Sequence, residues 1–197
     1  MVDYPSDWPK DGPIDLDKHD LPHGSSTTEW WYINCHLTTP TGRDISLFAS
    51  FFRIVAGRDE ETGAKHHAHS LTWALSDVGT KTYMGESRVD ETAPKIGLQR
   101  IDRGEGTSDP RLRQAMREVL VKGTVPYPDR MFGGEVWVSE RRLDLDFAGN
   151  RLHKLDDGRY QLSLFDHEQD IGAELILTPK KTPARHGDNG VVKSVHG

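Results

Sequence analysis

Glu29 stands in the run Thr28-Glu29-Trp30-Trp31-Tyr32, a carboxyl group set among indole rings. Desolvation favours the neutral form of such a group, which would suit it to proton donation near neutral pH. Addition of water to a substituted C=C bond needs a donor of that kind. It also needs aromatic faces that attract a developing carbocation, and Trp31, Trp73 and Phe51 could supply them. A second role open to Glu29 is a buried structural ion pair with Arg53 on the neighbouring strand. His67-Ala68-His69 puts two imidazoles on one strand face. A metal site would need a carboxylate and a third His beside them, and none follows at a convincing spacing, so no metal is expected. His69 alone, turned into a pocket, could serve as acid, base or hydrogen-bonding group. Asn34, Ser50 and Ser70 are small polar residues within apolar runs. Each could bond a ligand carbonyl or hydroxyl, or satisfy its neighbours or a buried water.

Strands must position these groups. Thr28 to Thr38 is aromatic and β-branched, without Pro or Gly, and reads as a strand. Alternation places Glu29, Trp31, Ile33 and Cys35 on one face and Trp30, Tyr32, Asn34 and His36 on the other. A turn at Pro40-Thr41-Gly42 leads to Arg43–Val55, with Ile45, Leu47, Ala49 and Phe51 opposite Ser46, Phe48, Ser50 and Phe52. A third strand spans His67–Ser76 and a weaker fourth Thr80–Val89, whereas 91–107 shows no period. One helix is expected around 110–122, capped by Ser108 or Asp109, opened by Pro110 and ended by Gly123. Short strands are then predicted at 135–139, 142–147, 159–165 and 172–178. The pattern describes a mostly β protein, an antiparallel barrel or sandwich with one helix. The first strand is apolar on both faces, which predicts a cover for its outer side: the N-terminal arm, the helix or a further module.

The chain has 197 residues, a formal net charge of −6 and 35% hydrophobic residues. That length suits one domain. An acidic balance argues against a nucleic-acid partner. No run is apolar enough for a transmembrane helix, and Met1–Lys10 does not read as a secretory leader. The single cysteine, Cys35, fits a reducing compartment, so the expected location is cytoplasmic. No GxSxG elbow, phosphate-binding Gly loop, dinucleotide fingerprint or Zn-type Cys set occurs, so no cofactor is expected. Residues 1–27 read as an extended arm in which Trp8, beside Pro5 and Pro9, could anchor or plug. Residues 28–179 read as the β domain, and 180–197 as a basic, Gly-rich tail without a closing element.

The Glu29-Trp30-Trp31-Tyr32 run, Phe51-Phe52-Arg53, the HAHSLTWALSD segment (His67–Asp77) and Asp109–Met131 together resemble the AttH/CrtC-like lipocalin superfamily. The resemblance implies a lipocalin-like β fold. It also implies activities of the family's kinds: carotenoid 1,2-hydratases, isoflavonoid hydratases of the kievitone hydratase type, and polyketide pericyclases. Such proteins usually carry two modules in tandem. This chain resembles the first, and its tail the crossover into a second, so a second module or a homodimer is an expected partner. The expected function is a cofactor-free enzyme on a hydrophobic isoprenoid or polyketide substrate, adding water to a C=C bond or cyclising it. Glu29 and His69 are the candidate catalytic residues. Trp31, Asn34, Ser50, Phe51 and Trp73 are the candidate binding residues. A pericyclase, or a lipocalin-like module that binds a small molecule without catalysis, are the alternatives.

Overall fold

A computed structural model describes residues 6–7, 12–186 and 190–192. Pro5, Trp8, Pro9 and the final Val195-His196-Gly197 lie outside the described residues. The chain divides into two compact units, Thr27–Gly133 and Met1–Ser26 with Gly134–Gly197. Each carries one five-stranded sheet, and a separate two-stranded sheet lies in the tail. No strand pairing among the described residues joins the two large sheets, so the predicted barrel does not close. Mostly β structure with few helices is what the sequence predicts. No helix among the described residues is long and apolar enough to cross a membrane.

In the Thr27–Gly133 unit the sheet runs β1 (Thr28–Thr38), β2 (Asp44–Arg58), β3 (Lys65–Asp77), β4 (Thr82–Val89) and β5 (Arg130–Met131), in that spatial order. The first four form an antiparallel meander, and β5 joins β4 in parallel. The register follows from the turns. Glu29 lies opposite Arg53, Trp31 opposite Phe51, and Arg53 in turn opposite His69. A bulge between Val55 and Gly57 shifts the far end of β2. Every second residue turns to one face, and there Leu47, Ala49, Phe51, Leu71 and Trp73 are almost wholly buried. Asp77 stitches the β3–β4 turn by accepting from the amides of Gly79 and Thr80. Arg43 also donates to it, and this bond above all holds the Asp77 carboxyl down to about 2.

Two helices follow β4. The predicted one is α3 (Pro110–Leu120), capped by Asp109, whose carboxylate accepts from the Arg111 amide. Gly123 (φ 76°) lies just beyond it. On α3, Leu112 is 51% exposed, while Leu120 is buried. The prediction of a single helix is corrected by α2 (Ala93–Asp102), in the segment read as without period. Pro94 and Gly97 look like breakers, yet Pro94 sits in the first turn, where its missing N–H costs nothing. Gly97 has Leu120 of α3 against it: an added Cβ would meet Leu120 at 3.0 Å.

In the other unit the sheet order is β10-β9-β8-β7-β6, all antiparallel. The strands are β6 (Val136–Val138), β7 (Asp144–Phe147), β8 (Asn150–Lys154), β9 (Tyr160–Asp166) and β10 (Ile171–Leu177). β8 was not foreseen, because it starts inside the Gly149-Asn150 turn and carries mostly polar residues. The arm predicted to be extended holds one helical turn, α1 (Leu16–His19), capped by Asp15. Lys154 on β8 ties that turn down, donating to the Leu16 carbonyl at 2.9 Å and to Asp17 at 2.7 Å. Tyr160 on β9 donates to Asp20 at 2.5 Å. In the tail, β11 (Ala184–His186) pairs with β12 (Gly190–Val192).

Close packing of β9 on β10 makes Gly172 sensitive. A Cβ there would collide with the Leu164 carbonyl oxygen, a backbone atom that cannot move alone. Gly172→Ala is expected to destabilise the fold by about 1–3 kcal/mol, the usual cost of overpacking. Urea denaturation checks it, with Gly134→Ala, whose nearest neighbour is 3.5 Å away, as the milder comparison.

Candidate functional site

The buried face of the β1–β4 sheet gathers most of the polar groups that can do chemistry. Glu29 and Arg53 face each other across β1 and β2 and form an ion pair, with side chains 11% and 8% exposed. Of the two roles open to Glu29, the arrangement directly displays the ion pair. His69 follows Arg53 on the next strand. Asp90 accepts from the His69 amide at 2.6 Å, and its Oδ2 lies 3.0 Å from His69 Nδ1. Thr92 also donates to Asp90 through its amide and its hydroxyl. Burial works against the charge on Asp90, but the bonds from His69 and Thr92 outweigh it and hold the carboxyl below its ordinary value. An ionised Asp90 can only accept, so Nδ1 is the donor nitrogen of His69. In the neutral ring, the acceptor is then Nε2. Glu29, Arg53, His69 and Asp90 thus form one polar row across the sheet.

The next rows are aromatic and apolar. Trp31, Phe51 and Leu71 lie side by side, with Arg88 beyond. Ile33, Ala49 and Trp73 follow, with Glu86 beyond. Trp73 Nε1 donates to Glu86 at 2.9 Å, Arg88 donates to the same carboxylate, and a second Arg88 nitrogen donates to the Met131 carbonyl at 3.2 Å. Each acid of this face therefore has a guanidinium or imidazole partner: Arg53 for Glu29, His69 for Asp90, and Arg88 for Glu86. Burying carboxylates without such partners would be costly.

Of the residues singled out from sequence, the structure brings together Glu29, Trp31, Phe51, His69 and Trp73. Asn34 and Ser50 belong to the other face and do not join them: Asn34 is exposed, while Ser50 is 2% exposed opposite Tyr32 and Thr72. His67 lies on the His69 side, with ring centroids 6.4 Å apart. No group of three or more His, Cys, Asp or Glu able to hold a metal occurs among the described residues. The cover predicted for the outer side of β1 is not present among them either: Trp30 is 55% and Tyr32 46% exposed. Sequence reading missed Asp90, although the hairpin register pairs Ser70 with Val89 and so sets Asp90 beside His69. Glu86 was missed too, and alternation from Arg88 was the signal for it. Two open hollows of about 410 and 430 Å³ lie in the other unit, beside Phe165 and Gly172 and beside Asp20 and Lys154, and none of the predicted site residues lines them.

No family model matches the chain, and neither does any curated protein. A solved structure does match. It is the crystal structure of a "putative AttH" from Nitrosomonas europaea, with a TM-score of 0.55 and 18% sequence identity, over 91% of this chain. The fold is AttH-like. The match spans 42% of the other protein's length, so this chain corresponds to less than half of it. At such identity the likeness concerns the fold. The polar row of this AttH-like fold is known from the chain's own geometry.

His67 gives the row a pH signature. Burial, then the charge on Arg53, then His69 and Lys65 push its imidazole down from 6.5 to about 4. The unfolded chain therefore takes up this proton before the folded one does. Stability is full above pH 6.5 and declines as pH falls toward about 4. His67→Gln removes the effect. Urea midpoints measured across that window should fall less steeply in the variant than in the wild type.

Proposed function

We propose that this AttH-like chain handles a hydrophobic small molecule of isoprenoid or polyketide type over the buried face of the β1–β4 sheet, and that the polar row performs acid-assisted hydration of a C=C bond. The observation that carries this reading is the junction of the row with the aromatic rings of Trp31, Phe51 and Trp73 on one face. In such a reaction a donor in the row gives a proton to one alkene carbon. Water adds through oxygen to the other carbon, and the extra proton of that oxygen returns to the row. The electron-rich faces of Trp31 and Phe51 favour the intervening cation. His69, oriented by Asp90, has the arrangement of a general acid–base residue. Glu29 serves as the acid if substrate binding draws it from Arg53, and otherwise fixes the charge beside His69.

One observation favours a second reading, a pericyclase. The Glu29–Arg53 pair is charge-neutral and supplies hydrogen-bond donors without a free acid. A pericyclic reaction needs only shape and a donor to a carbonyl. A non-catalytic binding module is the third outcome.

Replacing Glu29 with Gln and, separately, His69 with Gln divides the three. Under the hydratase reading, turnover of a polyene substrate falls at least about 100-fold in one or both variants, the usual contribution of a general acid or base. Ligand affinity, followed by tryptophan quenching, should stay nearly constant. Retained turnover in both folded variants would instead support the pericyclase. Tight binding with no turnover by the wild type would support the carrier.

A further inference from the structure

We propose that β1 is the pairing edge of a homodimer, joined to the β1 strand of a second copy in antiparallel register centred on Ile33. β1 is the end strand of its sheet. Val55 N–H donates to the Thr27 carbonyl and Thr39 N–H donates to the Arg43 carbonyl. Antiparallel alternation then makes the odd residues of β1 bond β2 and turns the even residues' N–H and C=O groups outward. Those residues are Thr28, Trp30, Tyr32, Asn34, His36 and Thr38, and among the described residues no strand pairs with their backbone.

Long exposed edges are ordinarily protected by Pro, Lys, bulges or brevity. β1 has none of these. It runs for 11 residues, and its pairing with β2 has no bulge. Its one charged residue, Glu29, turns inward to Arg53. The side chains that flank the open edge are aromatic: Trp30 is 55% and Tyr32 46% exposed, with Phe48 and Ile54 behind them at 39% and 42%. An uncharged, apolar edge favours a partner that is itself an uncharged, apolar strand.

A second β1 meets that condition. With Ile33 on the two-fold axis the whole strand pairs, Thr28 with the partner's Thr38, Trp30 with the partner's His36, and Tyr32 with the partner's Asn34. These are the even residues whose backbone groups point outward, so every outward N–H finds a carbonyl. No like charges face each other, because Glu29 meets the partner's Leu37. Trp30 and Tyr32 of one copy lie across from the partner's His36 and the partner's Asn34, and the contact is isologous, as a closed dimer requires.

Asn34→Pro tests the edge. Proline removes an outward N–H and leaves the bonds to β2 in place. The wild-type chain should sediment as a dimer in the micromolar range. Asn34→Pro should sediment as a monomer with unchanged far-ultraviolet circular dichroism. A second variant tests the register without weakening the strand. Ile33→Cys in a Cys35→Ser background places two thiols on the axis in a non-hydrogen-bonded pair, about 4.5 Å apart at Cα, within reach of a disulfide. Mild oxidation should give a covalent dimer that runs at twice the chain mass without reductant. A wild-type monomer throughout that range would overturn the proposal. So would a dimer that survives Asn34→Pro with the fold intact, or failure of the Ile33→Cys pair to cross-link while dimeric.

Discussion

The two-residue period of the pleat governs both the chemistry and the surface of the Thr27–Gly133 unit. In β1 one parity sends the side chain inward and the backbone groups to β2, while the other sends both outward. Glu29 therefore cannot leave the row without moving Trp31 as well. A register slip of one residue would expose Glu29 and Trp31 and bury Trp30. The row of Glu29, Arg53, His69 and Asp90 is one rung of this ladder. It exists because two tight connections fix β1 on β2 and β3 on β4, and because the β2–β3 pairing sets Arg53 on His69.

Energetics explain why Glu29 in that rung comes with Arg53 as its partner. Removing a carboxylate and a guanidinium from water costs several kcal/mol each, and mutual attraction only roughly repays it. The Glu29–Arg53 pair is thus weak evidence for stability, and a hydrophobic pair of similar volume could stand there at little cost. Losing one partner is a different matter, because the other charge is then buried alone. Asp90 is secured differently, by several hydrogen bonds from His69 and Thr92. Such a carboxylate holds an imidazole in one orientation, which a surface salt bridge would not do.

Much of this was legible in the sequence where local signals were strong. Thr28–Thr38 could be delimited to the residue, because it is unbroken by Gly or Pro and flanked by turn residues. The Asp109-Pro110 start of α3 announced itself by its cap. α2 was hidden because Pro94 and Gly97 carry opposite meanings in a helix interior and at a helix start or packing contact. β8 was hidden because its turn and its first residue are the same Asn150. In the candidate site, the Glu29–Arg53 neighbourhood could be anticipated from one hairpin. Asp90 needed the exact register of another, since a shift of one residue would have set Glu91 or Val89 there instead.

The two faces of β1 answer different demands. A strand apolar on both sides ordinarily lies between two layers. Here Trp30 and Tyr32 stay exposed while Trp31 and Ile33 are turned in, so burial of the inner side does not explain the aromatic character of the outer side. Folding of the unit gains little from an exposed indole, and Thr or Lys would serve an outer position of a sheet as well. Aromatic residues retained at outward positions therefore point to a contact beyond the unit's own fold. The same parity that sets Glu29 against Arg53 presents that contact beside an open backbone edge, so site and surface are two readings of one strand.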